Sequence, residues 1–167
     1  PQFFPRWDSE GNWLPLYQQE WQVNPTTGAA FTRPEKVYVW LTVPKRRNGP
    51  APVEILGHGY TGNKLDPIIY GGFFARYGIA AIGMECVSHG IGLNDGDQEL
   101  GRGILASKQL AGMCDALVKN HRAYDQNGDG IEDSAADFWT AYIGHTRDVV
   151  RQSAVDYMQL VRLLRSF

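Results

Sequence analysis

Three short stretches of this chain combine residue types that do chemistry. His58-Gly59-Tyr60-Thr61-Gly62-Asn63-Lys64 sets an imidazole, two hydroxyls and a cation around two glycines. Glu85-Cys86-Val87-Ser88-His89-Gly90 repeats the His-Gly pair behind a carboxylate, a thiol and a hydroxyl. Glycine lets the main chain of the first loop approach a bound molecule closely. The third stretch is Asp125-Gln126-Asn127-Gly128-Asp129-Gly130-Ile131-Glu132-Asp133. Oxygen-bearing side chains at its first, third and fifth positions, Gly at the sixth and a carboxylate at the ninth follow the logic of a calcium loop. The ligands expected are the side chains of Asp125, Asn127, Asp129 and Asp133 and the carbonyl of Ile131. Magnesium fits less well, because it takes fewer protein ligands. The competing reading is a solvated acidic turn built on Asn-Gly and Asp-Gly dipeptides.

The elements that must hold these stretches are legible by period. Val37–Val43 alternates, with Val37, Val39, Leu41 and Val43 on one face and Tyr38, Trp40 and Thr42 on the other, and reads as a strand covered on both faces. Pro44–Pro52 is a basic turn carrying Gly and Pro. Val53–Leu56 reads as a second strand ending in the first His-Gly loop, and Ile79–Met84 as a buried strand ending in the second. Ile68–Tyr77 reads as a helix stopped by Gly78, with Phe73 and Phe74 packing it on the sheet. Glu99–Asn120 follows a helical period through Leu100, Ile104, Leu110, Met113, Leu117 and Val118, weakened by Gly101, Gly103 and Gly112. A long amphipathic helix runs from about Thr146 to Leu164 along Val150, Ala154, Met158, Val161 and Leu164. Short apolar strands alternating with helices predict an α/β fold with a mostly parallel sheet flanked by helices. Ligands of such sheets bind beyond the C-terminal strand ends, where both His-Gly loops fall.

Residues 1–35 read as an aromatic N-terminal arm, with a strand near Tyr17–Val23, ahead of a domain over 36–167 that carries the acidic insertion near 125–137. Trp7, Trp13 and Trp21 offer a carbohydrate-binding alternative to simple packing of the arm.

The first loop resembles the oxyanion loop of α/β-hydrolases. Tyr77–Gly90, a Gly, an apolar strand, an acidic residue and a His-Gly turn, resembles a further segment of that family, with Glu85 where Asp is more usual. Arg147–Asp156 with Leu160–Leu164 resembles the helix that precedes the nucleophile strand, especially in bacterial extracellular lipase-like and esterase-like members. The resemblance covers roughly residues 36–165 and implies the N-terminal half of an α/β-hydrolase fold. It implies that the backbone N–H of Tyr60, or of Thr61, donates to the oxyanion of an acyl-transfer reaction. It also implies that His58 braces the loop rather than acting as general base, and that His89 is a structural loop residue or lies near the mouth of the site as a substrate-binding residue. The substrates implied are esters, lipids or amides.

One element of the family is missing. No Gly-x-Ser-x-Gly occurs, and Ser88, directly before His89, cannot readily pair with it as nucleophile and base. The nucleophile, acid and His are therefore expected after Phe167 or on a second chain, as in a proteolytically nicked hydrolase, and this chain alone is expected to be inactive. The alternative is a non-catalytic, calcium-stabilised binding or assembly module with a hydrolase-like fold. The acidic loop itself resembles the extracellular loops of thrombospondin type 3 repeats more than an EF-hand, whose twelfth-position Glu is here Ala136. Calcium is abundant outside cells, so a secreted, periplasmic or cell-surface location is expected.

Composition narrows the rest. The 167 residues, with 43% hydrophobic and 20% charged residues, suffice for one core. A net charge of −2 gives no electrostatic argument for nucleic acid or an anionic membrane. No run approaches the roughly 18 apolar residues of a membrane span. Cys86 and Cys114 form no CxxC pair and read as two buried thiols ahead of a disulfide. His121 and His145 read as structural, and Asp66 reads equally as a substrate contact or as a turn before Pro67.

Overall fold

The computed structural model describes residues 6–167, so the first five residues of the arm lie outside it. The described chain forms two units, one over Val37–Ala135 and one made of residues 6–36 with Ala136–Phe167. The last helix is thus grouped with the aromatic arm and not with the sheet.

The first unit is built on three strands, β1 (Val39–Thr42), β2 (Val53–Leu56) and β3 (Ala80–Met84), in the order β1-β3-β2. β2 pairs in parallel with β3, with Ile55 opposite Ile82, and β1 pairs antiparallel to β3, with Leu41 opposite Ile82. The sheet is therefore mixed, which corrects the expectation of a mostly parallel one. Apolar side chains report that a strand is covered, whereas its direction depends on where the connecting turn delivers it. Only β3 is buried along its whole length; β1 and β2 are edge strands whose Val39, Leu41 and Val53 reach solvent.

Between β2 and β3 the chain crosses over through α1 (Asp66–Arg76). Pro67 in its first turn has no N–H to lose there. The helix ends in a Schellman arrangement: Ile79 N–H donates to Phe74 O and Gly78 N–H to Ala75 O, both at 3.1 Å. Gly78 takes φ of 75°, a conformation that costs a side-chain-bearing residue energy. Two glycines let α1 lie close on the sheet. A Cβ on Gly71 would stand 2.8 Å from the Thr42 side chain, and one on Gly83 would stand 2.7 Å from Lys64 O. Phe73, expected to pack inward, lies on the outer face and is exposed, because Pro67 and Gly71 take the inner one.

The helix expected over Glu99–Asn120 is broken. α2 (Asp95–Ala106) starts from Asn94, whose side chain accepts from Asp97 N–H, and stops at a turn in which Gln109 adopts φ of 61°. α3 (Ala111–Cys114) then runs into a π-helical turn over Asp115–Lys119. The break divides the apolar stripe. Leu100 and Ile104 face solvent, while Cys114 and Val118 are buried.

The second unit joins the arm to α4 (Ile143–Leu164). No strand forms at Tyr17–Val23; Leu16–Gln18 is a 3-10 turn, and Val23 makes a single bridge to Ala30. Polar bonds replace the expected strand pairing. Arg6 donates to Asp137 Oδ2 at 2.7 Å and to Gln19 Oε1 at 3.1 Å, and Trp21 N–H donates to Asp148 Oδ2 at 2.9 Å. His145 lies inside the first turns of α4, not ahead of it, with Nδ1 donating to Gln19 O at 2.8 Å. Trp7 and Trp13 meet edge to face, and guanidinium groups lie over both rings, Arg33 over Trp7 and Arg6 over Trp13. Each ring thus has a cation on one face, and both side chains remain exposed.

Candidate functional site

β2 and β3 run in parallel, so the loops that follow them emerge side by side. Both loops fold into the same kind of turn. In the first, Gly62 N–H donates to Gly59 O at 2.9 Å and Thr61 takes φ of 60°. In the second, His89 N–H donates to Cys86 O at 3.2 Å and Ser88 takes φ of 65°. A positive φ at the third residue alone is the type II pattern, a position that favours Gly. Thr61 is β-branched, so its conformation is strained, and such strain concentrates at functional sites. Gly62 has no room for a side chain, since a Cβ there would stand 2.9 Å from Gly59 O.

His58 joins the two loops. Its Nε2 accepts from Cys86 N–H at 2.9 Å, so the ring proton is on Nδ1, which donates to Gly59 O at 2.9 Å. The only lone pair of the ring is thereby used, and His58 cannot take a proton from a nucleophile in this arrangement. The His89 ring packs against His58 with centroids 4.8 Å apart and against Tyr60 at 6.3 Å. His89 Nδ1 donates to Val87 O at 2.8 Å. His89 is 1% exposed and Ser88 0%, so neither is at a solvent-lined mouth, whereas the Tyr60 side chain is exposed. Among the described residues neither the Tyr60 nor the Thr61 N–H donates a hydrogen bond. The structure thus brings together Tyr60, Thr61 and His89 and leaves two adjacent main-chain donors available.

Beneath this surface lies a charged cluster that pattern reading does not reveal. Lys64 Nζ is 3.1 Å from both Glu85 carboxylate oxygens and donates to Asn120 O at 2.9 Å and Leu117 O at 3.4 Å. Arg122 donates to Glu85 O at 3.2 Å. Burial pushes the Glu85 carboxyl up to about 7, against the pull of Lys64 and Arg122. Burial, together with the Lys64 charge, pushes His121 down to about 4. Nδ1 of His121 accepts from Ala123 N–H at 3.2 Å, so its Nε2–H faces Glu132 Oε2. This contact is a hydrogen bond from a neutral ring and not an ion pair. Burial also raises Glu132. The sequence signal for the cluster is slight: a Lys after the glycines of one loop and a Glu at the end of an apolar strand.

The acidic stretch is a tight loop closed by a bridge between Tyr124 and Asp133. Its side chains fold back on its own main chain. Asp125 accepts from Gly128 and Gly130 N–H, Asn127 from Asp129 N–H, and Asp129 from Ile131 N–H, at 2.7–2.9 Å. Asp133 accepts from Gln126 N–H at 3.0 Å. These bonds, that from Gly130 foremost, hold the Asp125 carboxyl below the usual carboxylate range. Among the described residues no three His, Cys, Asp or Glu side chains converge as a metal-holding group.

Cys86 and Cys114 are both free thiols, Cys114 buried and Cys86 half-buried. Among the described residues no helix is long and apolar enough to cross a membrane. No family model matches the chain, and neither the curated proteins nor the solved structures contain a match to it.

Proposed function

We propose that this chain contributes the oxyanion-binding loop of a serine hydrolase acting on esters or lipids. The observation that carries the reading is the pair of adjacent main-chain donors at Tyr60 and Thr61, in a strained turn at the C-terminal end of a parallel strand. Acyl transfer places negative charge on the carbonyl oxygen, and donors already fixed towards that position stabilise it without reorganising. In α/β-hydrolases one such donor comes from the loop between a strand and the first helix; here that is the loop between β2 and α1. The occupied lone pair of His58 agrees with a bracing role.

The nucleophile, its acid and its base belong, on this reading, to polypeptide beyond Phe167 or to a second chain. Ser88 is 0% exposed and is held within the second turn, so it does not stand in for them. The reading is tested on the assembled enzyme with a fluorophosphonate probe and an activated ester. Labelling of a serine outside this chain, together with ester turnover, is expected; no reaction with either reagent removes the proposal. Peptide sequencing of every chain in the natural sample comes first. A species ending at Phe167 with no Gly-x-Ser-x-Gly partner leaves the binding-module reading in its place.

A structural calcium ion at the acidic loop is part of the same proposal. In type and order Asp125, Asn127, Asp129, the Ile131 carbonyl and Asp133 suit a hard cation. Gly130, with φ of 85°, makes the required sharp turn. The ion would pin the segment between the π-helical turn and α4 and take no part in the reaction. A calcium-dependent fold of this kind suits a secreted or surface-exposed protein.

A further inference from the structure

The outer face of α1 lacks the polar residues that a water-facing helix carries. Ile69, Phe73 and Tyr77 succeed one another at four-residue spacing and are 71%, 60% and 68% exposed. Phe73 and Tyr77 touch, with ring centroids 5.2 Å apart. Ile68 and Tyr70 flank them and are exposed too. Contiguous exposed apolar surface of this kind marks a binding face.

The charge beside it indicates what binds. At the C-terminal end of α1, Lys45 and Arg46 of the β1–β2 turn and Arg76 of the helix line a surface groove of about 450 Å³. Among the described residues none of these three cations is in a salt bridge. Arg47 of the same turn donates to Pro44 O at 3.2 Å, and β2 carries one carboxylate, Glu54. The chain as a whole carries −2, so this local excess of positive charge is hidden in the total.

We infer that α1 and the β1–β2 turn form a docking face for an anionic lipid surface. Aromatic and aliphatic side chains enter the boundary between headgroups and acyl chains, while Lys and Arg meet the negative headgroups. Tyr70 and Tyr77 suit that boundary, with an apolar ring and a hydroxyl that stays wet. A protein partner for an apolar helix face would not by itself require three unpaired cations around it. The inference is independent of the hydrolase reading, since it uses no residue of the two strand-end loops.

The test is co-sedimentation of the full chain with vesicles of phosphatidylcholine alone and of phosphatidylcholine with phosphatidylglycerol, with sedimentation velocity run in parallel. Binding to the anionic vesicles only is expected, and it weakens at about 1 M salt, where screening extends no further than about 3 Å. Neutralising the cluster by Lys45→Gln, Arg46→Gln and Arg76→Gln lowers the partition coefficient on the order of 100-fold, at about fivefold per charge. Phe73→Ser lowers it about tenfold. All four positions are exposed, so the variants keep the wild-type melting temperature, and that is measured first. Equal sedimentation with both vesicle types, or with neither, overturns the inference. So does a dimer that forms without lipid and is abolished by Phe73→Ser, which would make a second copy the occupant.

Discussion

Lys64 Nζ sits 3.1 Å from each oxygen of the Glu85 carboxylate, and the two side chains are 2% and 1% exposed. The pair ties the start of α1 to the end of β3, and through Asn120 O and Leu117 O it also holds the π-helical turn. A buried ion pair contributes little net stability, because desolvation offsets most of the attraction. Breaking it from one side is costly. Lys64→Met is expected to destabilise the fold by about 3–5 kcal/mol, and the double variant Lys64→Met, Glu85→Met to recover most of that. Urea denaturation of the three proteins checks this; additive losses would show that the two residues act separately.

The pH dependence combines two opposed contributions. Folding raises Glu85 from 4.5 to about 7, so the folded state holds the extra proton and this contribution to stability is lost as pH rises from 4.5 through 7. Folding lowers His121 from 6.5 to about 4, so its contribution is complete above 6.5 and is lost as pH falls towards 4. Between about 4.5 and 6.5 the two slopes oppose each other. The wild type is expected to show a shallow stability profile there, Glu85→Gln one that climbs with pH, and His121→Asn one that descends. Melting temperatures at half-unit pH intervals check the signs, and a Glu85→Gln profile that descends would reverse the assignment.

The oxyanion role is separable from the turn that carries it. Proline is favoured at the second position of a type II turn, which Tyr60 occupies, so Tyr60→Pro keeps the turn and removes the N–H. In the assembled enzyme it is expected to lower kcat by 10²–10³ with little change in KM. Thr61→Gly relieves the positive φ and is expected to stabilise the fold by about 1 kcal/mol. An unchanged kcat in Tyr60→Pro would move the donor to Thr61 or elsewhere.

For the acidic loop, calcium is expected to raise the melting temperature and Asp129→Ala to abolish that gain. Equal melting temperatures of the wild type in calcium and in chelator would leave an ordinary acidic turn. Its hydrogen-bonded Asp125 carboxylate, held below the usual range, makes the loop sensitive to acid even without the ion, since that stabilisation is lost as pH falls through the lowered value.

His58 is expected to matter for structure. His58→Ala leaves Cys86 N–H without its acceptor and is expected to cost about 1–3 kcal/mol. A loss of activity far exceeding the loss of folded protein, measured on the assembled enzyme, would instead make the ring a participant in the chemistry.

The short-range features were legible in the order of residues. Short apolar runs located β2 at Val53–Leu56 and β3 within Ile79–Met84, and Gly78 marked the end of α1, because an apolar run and a helix stop are set by neighbouring residues. The chemistry-bearing loops were legible for the same reason: Gly, His and Asp advertise turns and ligands locally. Tertiary structure alone decided the rest. The direction of β1, the pairing of Lys64 with Glu85 and of His121 with Glu132, and the seal over Ser88 and His89 arise between residues distant in sequence or from burial. Leu100 and Ile104 have the spacing of a core stripe and face solvent, while Phe73 looks like core and lies outside. Amphipathic spacing shows that a helix has an apolar face; which face meets the sheet is settled by close approaches such as Gly71 on Thr42.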